Sequence, residues 1–146
     1  MSSPNSGGEF VNPPDDEIAA FLRAMRRVAV VGISDRADRP SHGIAKFLVG
    51  AGYEVCGVNP TLTNVLGRPV YPTLAEAPGP LDLVDIFRRS EAVPEIVEAA
   101  IAAGARGVWL QEDVVNPAAA ARARNAGLFV VMDRCIYKEW LRLLNG

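Results

Sequence analysis

Histidine occurs once in this chain, at His42, and cysteine twice, at Cys56 and Cys135. So sparse a set, with no C-x-x-C and no His-rich tract, excludes a zinc site of the usual spacing. Cys56 lies inside an apolar run, and both cysteines are expected to be reduced thiols in a reducing compartment. Runs of Lys or Arg are missing too, and 15 basic residues against 17 acidic ones leave a formal net charge of −2. Proteins that bind duplexes carry a basic face or stripe, so general nucleic-acid binding is excluded, while a local basic pocket for one small anion is not. No apolar stretch approaches the length of a membrane span, and residues 1–12 lack the basic start and apolar core of a secretory signal. These absences point to a cytoplasmic protein without a membrane partner.

What is present is the ordinary balance of a globular domain, about half apolar, in a length of 146 residues that suits one domain. The Ser, Gly, Pro and Asn of the N-terminus predict a flexible tail over residues 1–14, followed by a single domain over 15–146. Asp15, Asp16 and Glu17 favour a helix start, and Ile18, Phe21, Leu22 and Met25 give that helix one apolar face. Val28 to Ile33 is a short β-branched run broken by Gly32, which reads as a buried strand. The alternation continues with a helix from about Ser41 to Ala51, a strand over Tyr53–Val58 and a longer loop over Asn59–Pro72. Next come a short segment at Leu74–Glu76, a strand over Leu81–Phe87, and a helix opened by Ser90 and ended by Gly104. Val108–Leu110 is a fourth strand, Asn116-Pro117 caps a further helix, Leu128–Met132 is a fifth strand, and Ile136–Leu144 a last helix. Strands alternating with helices mean parallel βαβ units. The expected fold is therefore α/β, a Rossmann-like three-layer doubly wound parallel sheet of about five strands. Ligands in such sheets sit beyond the carboxyl ends of the strands, here expected near a switch point between strands one and four.

The residues at those ends are informative. After the first strand, Gly32 permits close backbone approach, Ser34 can donate to a phosphate, and Ser41 is placed to cap a helix whose free N–H groups favour an anion. Arg36, Arg39 and Lys46 add positive charge nearby. The dinucleotide fingerprint G-x-G-x-x-G is absent, because Ser34 and Ala37 stand at its later glycines. The second strand ends Val58-Asn59-Pro60, without the carboxylate that an NAD ribose expects. A nucleotide-hydrolysing phosphate loop is absent as well. The third strand ends in Phe87, Arg88 and Arg89. There a ring can lie against a base, and a guanidinium can grip a phosphate or stack on adenine.

At these residues the chain resembles the small CoA-binding domain proteins, relatives of the CoA-binding domain of the succinyl-CoA synthetase α subunit. The resemblance runs from about Ile18 to Leu144. It is carried by Val28 to Ser34, Arg39-Pro40-Ser41-His42, Val58-Asn59-Pro60, Val84 to Arg88, Val108 to Gln111, and Met132-Asp133-Arg134-Cys135. It implies a Rossmann-like fold with the ADP portion of CoA, or of an acyl-CoA, lying across the strand ends. Gly32, Ile33 and Ser34 would meet the phosphates, Asn59 and Pro60 would shape the nucleotide pocket, and Phe87 with Arg88 would line its other side. Arg39, Pro40, Ser41, His42 and Gln111 complete the implied cofactor-binding set. Many relatives carry Lys after the Asn-Pro pair, where this chain has Thr61; Arg39, Arg68 or Arg88 could supply that charge. CoA suits the strand ends better than NAD, since a carboxylate after the second strand would repel its 3′-phosphate, although the same absence permits NADP.

No nucleophile, base and orienting group emerge together. His42 sits in the first loop and reads as a pocket or hydrogen-bonding residue. Cys135 is either a redox-sensitive thiol or a small residue fixing the last turn. The expectation is a binding, carrier or sensor module without catalytic residues or metal. An NADP- or CoA-dependent enzyme and a regulatory subunit that merely keeps the fold stay open as alternatives. The apolar faces of the first and last helices fit either packing on the sheet or contact with a second copy, so a homodimer or another protein partner is also open.

Overall fold

Strands whose side chains are buried on both sides need a layer of helices on each face. That requirement organises the chain over residues 10–144, which the computed structural model describes. In chain order the elements are α1 (Asp15–Ala24), β1 (Arg27–Val31), α2 (Pro40–Gly50), β2 (Glu54–Val58), β3 (Asn64–Val65) and β4 (Arg68–Tyr71). They continue with β5 (Leu83–Ile86), α3 (Val93–Ala102), β6 (Gly107–Leu110), α4 (Pro117–Asn125), β7 (Phe129–Met132) and α5 (Ile136–Leu144). The sheet order is β3-β4-β2-β1-β5-β6-β7, parallel throughout except for the β3–β4 pair. Among the described residues no helix is long and apolar enough to cross a membrane.

Alternation along the strands divides the core in two. Ala29, Val31, Val84, Ile86, Val108 and Leu110 face Val93, Val97 and Ala100 of α3 and Ala119, Ala120 and Ala123 of α4. Val28, Val30, Leu83 and Trp109 face Ile18 and Leu22 of α1, Ile44 and Leu48 of α2, and Ile136 of α5. Small alanines bring α4 close to the sheet, while the second face is filled by larger side chains. Polar clasps tie that second face together. The Tyr53 hydroxyl donates to Leu22 O at 2.6 Å and accepts from Trp140 Nε1 at 3.1 Å. Arg142 of α5 pairs with Asp15 of α1 and with the buried Glu139, which also holds Arg134.

Three features refine the sequence reading. The sheet has seven strands rather than about five, because the stretch expected as a loop contains the β3–β4 hairpin. Its two turn residues, Leu66 and Gly67, both take left-handed backbone at φ 56° and 74°, as a two-residue hairpin turn demands. β1 lies between β2 and β5, so the chain reverses direction across the sheet there; with the parallel β4 counted, this is the expected switch between the first and fourth parallel strands, although β5 is the strand expected as the third. Helix starts differ as well. α2 begins at Pro40 with Arg39 as its cap residue, which places Ser41 inside the first turn. Ser90 does open the helical stretch, as a 3₁₀ turn over Ser90–Ala92 that runs into α3 at Val93, but its hydroxyl caps nothing there and instead accepts the Val115 N–H at 2.9 Å.

Of the expected tail, residues 1–9 lie outside the described residues. Phe10 to Asn12 are held against the sheet. The Asn12 carboxamide accepts from Met132 N at 2.7 Å and donates to Met132 O at 3.0 Å. Arg124 stacks over Phe10, 4.7 Å from its ring centroid.

Candidate functional site

The reversal point between β1 and β5 opens a crevice at the carboxyl ends of the strands, where ligands of doubly wound sheets sit. Gly32 begins it. Its φ of +88° and the closeness of the Phe87 carbonyl leave no room for a side chain, and its N–H is anchored on Val58 O at 2.9 Å. Ser34 follows, and its hydroxyl accepts the Arg36 N–H at 3.0 Å, which turns the chain toward α2. A pocket of about 940 Å³ lies between this turn, the first two turns of α2, the ends of β5 and β6, and the start of α5.

Eight of the twelve site residues expected from sequence line this one pocket: Gly32 and Ser34; Arg39, Pro40 and Ser41; Phe87 and Arg88; and Gln111. Four do not. Ile33 is buried and packs so tightly on Gly57 that a β-carbon there would meet its Cγ2 at 2.6 Å. His42 is half-buried in the first turn of α2, outside the lining. Asn59 and Pro60 lie beyond β2, on the other side of β1. The Asn59 amide donates to Ile33 O at 2.9 Å, while its oxygen accepts from Thr61 N at 2.8 Å and Thr61 Oγ1 at 2.9 Å. Asn59 therefore braces the first loop from beneath, and the hydroxyl of Thr61 is engaged in the same brace.

The far wall is built from tertiary contacts. Gln111 is nearly buried, and its Oε1 accepts the Ile136 N–H at 3.3 Å, capping α5. That bond engages the carboxamide oxygen and leaves the NH₂ as the unused donor of a residue that lines the pocket. Asp113 and Asp133 both adopt left-handed backbone at φ 71° and 62°, which Asp tolerates better than most residues. The Asp133 carboxylate accepts the Asp113 N–H at 2.8 Å, joining the ends of β6 and β7. Cys135, a free thiol, lines the pocket, as do Ile44 and Phe47 of α2, Val114, and Tyr137 of α5. The sequence reading did not include Ile44, Phe47, Val114 or Tyr137, since only the packing of α2 beside α5 brings them together.

The electrostatics are uneven. Arg39, Lys46, Arg88 and Arg89 line the pocket, and none joins an ion pair among the described residues. Two acids, Glu112 and Asp113, stand at the end of β6, and Glu112 is paired with Lys138 at 2.9 Å. Unpaired guanidinium groups beside a helix N-terminus and a glycine turn are groups that can hold an anion. Below the pocket, Asp85 of β5 is fully buried with neither carboxyl oxygen hydrogen-bonded. Burial holds its pKa well above the ordinary carboxylate value.

A glycine turn after β1, an arginine-bearing β5 end and a cation-lined pocket at the reversal point place this chain among the doubly wound α/β domains. The chain belongs to the CoA-binding domain family, whose model matches residues 26–140. It is 42% identical over 125 residues to the uncharacterized protein YneT of Bacillus subtilis, covering 86% of this chain and 93% of that one. A solved structure, a hypothetical protein from Pyrococcus horikoshii OT3, superposes with a TM-score of 0.87 at 36% identity, covering 93% of this chain and 98% of that one. A shorter similarity, 35% over 71 residues, links 49% of this chain to 10% of an ADP-forming acetate–CoA ligase of Archaeoglobus fulgidus.

Proposed function

We propose that this chain binds coenzyme A or an acyl-CoA, with the phosphates at the Gly32 turn, and acts as a binding, carrier or sensor module. The observation that carries the reading is the set of four unpaired cations, Arg39, Lys46, Arg88 and Arg89, converging on a pocket that begins at a side-chain-free glycine turn. Membership of the CoA-binding domain family supports the ligand. The similarity to a CoA ligase over half the chain supports it further.

Phe87 is half-exposed at the pocket and Arg88 follows it into solvent. In this reading Arg88 meets the pyrophosphate as a charge-assisted donor, an interaction that Lys or a neutral residue would not reproduce in geometry.

Thermal shift against CoA, acetyl-CoA, NAD, NADP and ATP tests the proposal. A ligand at a hundred times its dissociation constant stabilises the fold by about 2.7 kcal/mol. CoA and acetyl-CoA are expected to give that response selectively. Arg88→Glu is expected to weaken CoA at least tenfold by titration calorimetry. A flat response to CoA, or a preference for NADP, overturns the assignment of the ligand.

A further inference from the structure

The pocket changes character along its length. At the ends of β1 and β5 it presents the glycine turn with Arg88 and Arg89, Arg39 stands at the start of α2, and Lys46 lies further along that helix. Between α2 and α5 its walls are Ile44 and Phe47, Val114, Cys135 and Tyr137. Phe47 and Tyr137 meet edge to face with ring centroids 4.8 Å apart, and Phe47 also packs edge-on against Trp140 at 5.3 Å. The apolar wall is therefore held in place without any ligand.

A gap runs along α2. Pro40, Gly43, Ile44 and Phe47 fall at i, i+3, i+4 and i+7, a single stripe on the pocket side. Gly43 interrupts that stripe, and a β-carbon built there meets nothing within 4 Å. Glycine in a helix interior is disfavoured against alanine, and here the missing side chain leaves a groove between the cationic end and the aromatic wall. The volume, about 940 Å³, stands near the top of the range for small-molecule pockets. It is more than a phosphate group alone would fill.

An anionic head and an apolar tail are the complement of this layout. We propose that the α2–α5 half of the pocket takes the acyl group of a CoA thioester, and that the acyl class is an uncharged aliphatic chain. This rests on the CoA reading above and adds the nature of the cargo. Asp113 at the end of β6, which joins no ion pair among the described residues, would set like charge against an acyl chain ending in a carboxylate. The Gln111 NH₂, left free by the bond to Ile136, provides a donor for a carbonyl at the passage from polar to apolar lining.

Titration calorimetry of the full chain with CoA, acetyl-, butyryl-, hexanoyl- and succinyl-CoA tests the inference. Affinity is expected to rise along the saturated series, by up to about fourfold per added methylene. Butyryl-CoA is expected to bind at least tenfold tighter than succinyl-CoA, which has the same number of acyl carbons. Gly43→Leu, which meets no neighbouring atom at its β-carbon and suits a helix, should fill the groove and flatten the series, with circular dichroism unchanged. Equal affinity for CoA and every saturated acyl-CoA overturns this inference while leaving CoA binding intact. Succinyl-CoA as tight as butyryl-CoA overturns the uncharged class, and an undiminished chain-length gain in Gly43→Leu overturns the placement. Failure of every CoA species to bind overturns the CoA reading, and this inference with it.

Discussion

Gly32 passes so close to Phe87 that a β-carbon on it would stand 2.5 Å from the Phe87 carbonyl oxygen. Two strand ends thus meet backbone to backbone, and the pocket opens from that contact. Gly32→Ala must both occupy left-handed backbone and push β1 and β5 apart. A stability loss of about 2–4 kcal/mol is expected, from strain at φ +88° together with the clash. Urea denaturation measures it as a lower midpoint. A variant as stable as the parent would mean that the two strand ends yield freely.

Asp85 makes the stability of the fold depend on pH. Burial raises its folded pKa above the ordinary 3.8, so the native state keeps a proton that the unfolded chain releases above about pH 4. Stability contributed by the neutral acid is full below that point and is lost as pH rises toward the folded pKa. Asp85→Val, whose strand neighbours in register are Val30 and Trp109, removes both the buried polar group and its titration. The variant is expected to exceed the parent by about 1–3 kcal/mol at pH 7, with the difference shrinking toward pH 4. Melting temperatures from pH 4 to 8 decide it, and a variant less stable than the parent at pH 7 would show that the carboxyl has a stabilising role.

Asn12 reproduces with one side chain the two hydrogen bonds a neighbouring strand would make to Met132. Asn12→Ala is expected to cost about 1–3 kcal/mol and to speed amide hydrogen exchange at Met132 while leaving β1 and β5 protected. Unchanged exchange at Met132 would mean that residues 10–12 contribute nothing to holding that strand.

The long strands were legible because their β-branched runs are bounded by glycine and polar clusters, and the Asn116 cap forms as read, its carboxamide oxygen accepting Ala119 N–H at 3.0 Å. The β3–β4 hairpin was not legible. Its strands are short, and Leu66 rather than Asn or Asp precedes Gly67 at the turn, so the usual composition signal is missing. Ser41 looked like a helix cap by residue type, but Pro40, already helical, moves the boundary back to Arg39. At the site, residues that follow a strand directly could be placed from chain order alone. Phe47 and Tyr137 could not, because 90 positions separate them and only the packing of α2 beside α5 makes them neighbours. Asn59 shows the opposite limit. Its position at a strand end is where a ligand residue is expected, yet its hydrogen bonds turn it toward the protein's own loop.

The way the sheet finishes on either side has a bearing on self-association. On one side it stops at β3, two residues long and antiparallel; on the other, the outward backbone groups of Met132 are occupied by Asn12. Among the described residues neither rim offers a long row of free donors and acceptors, so a second molecule finds little template there for adding strands of its own. Contact between copies through the helix faces would instead depend on side chains and could be tuned by single substitutions.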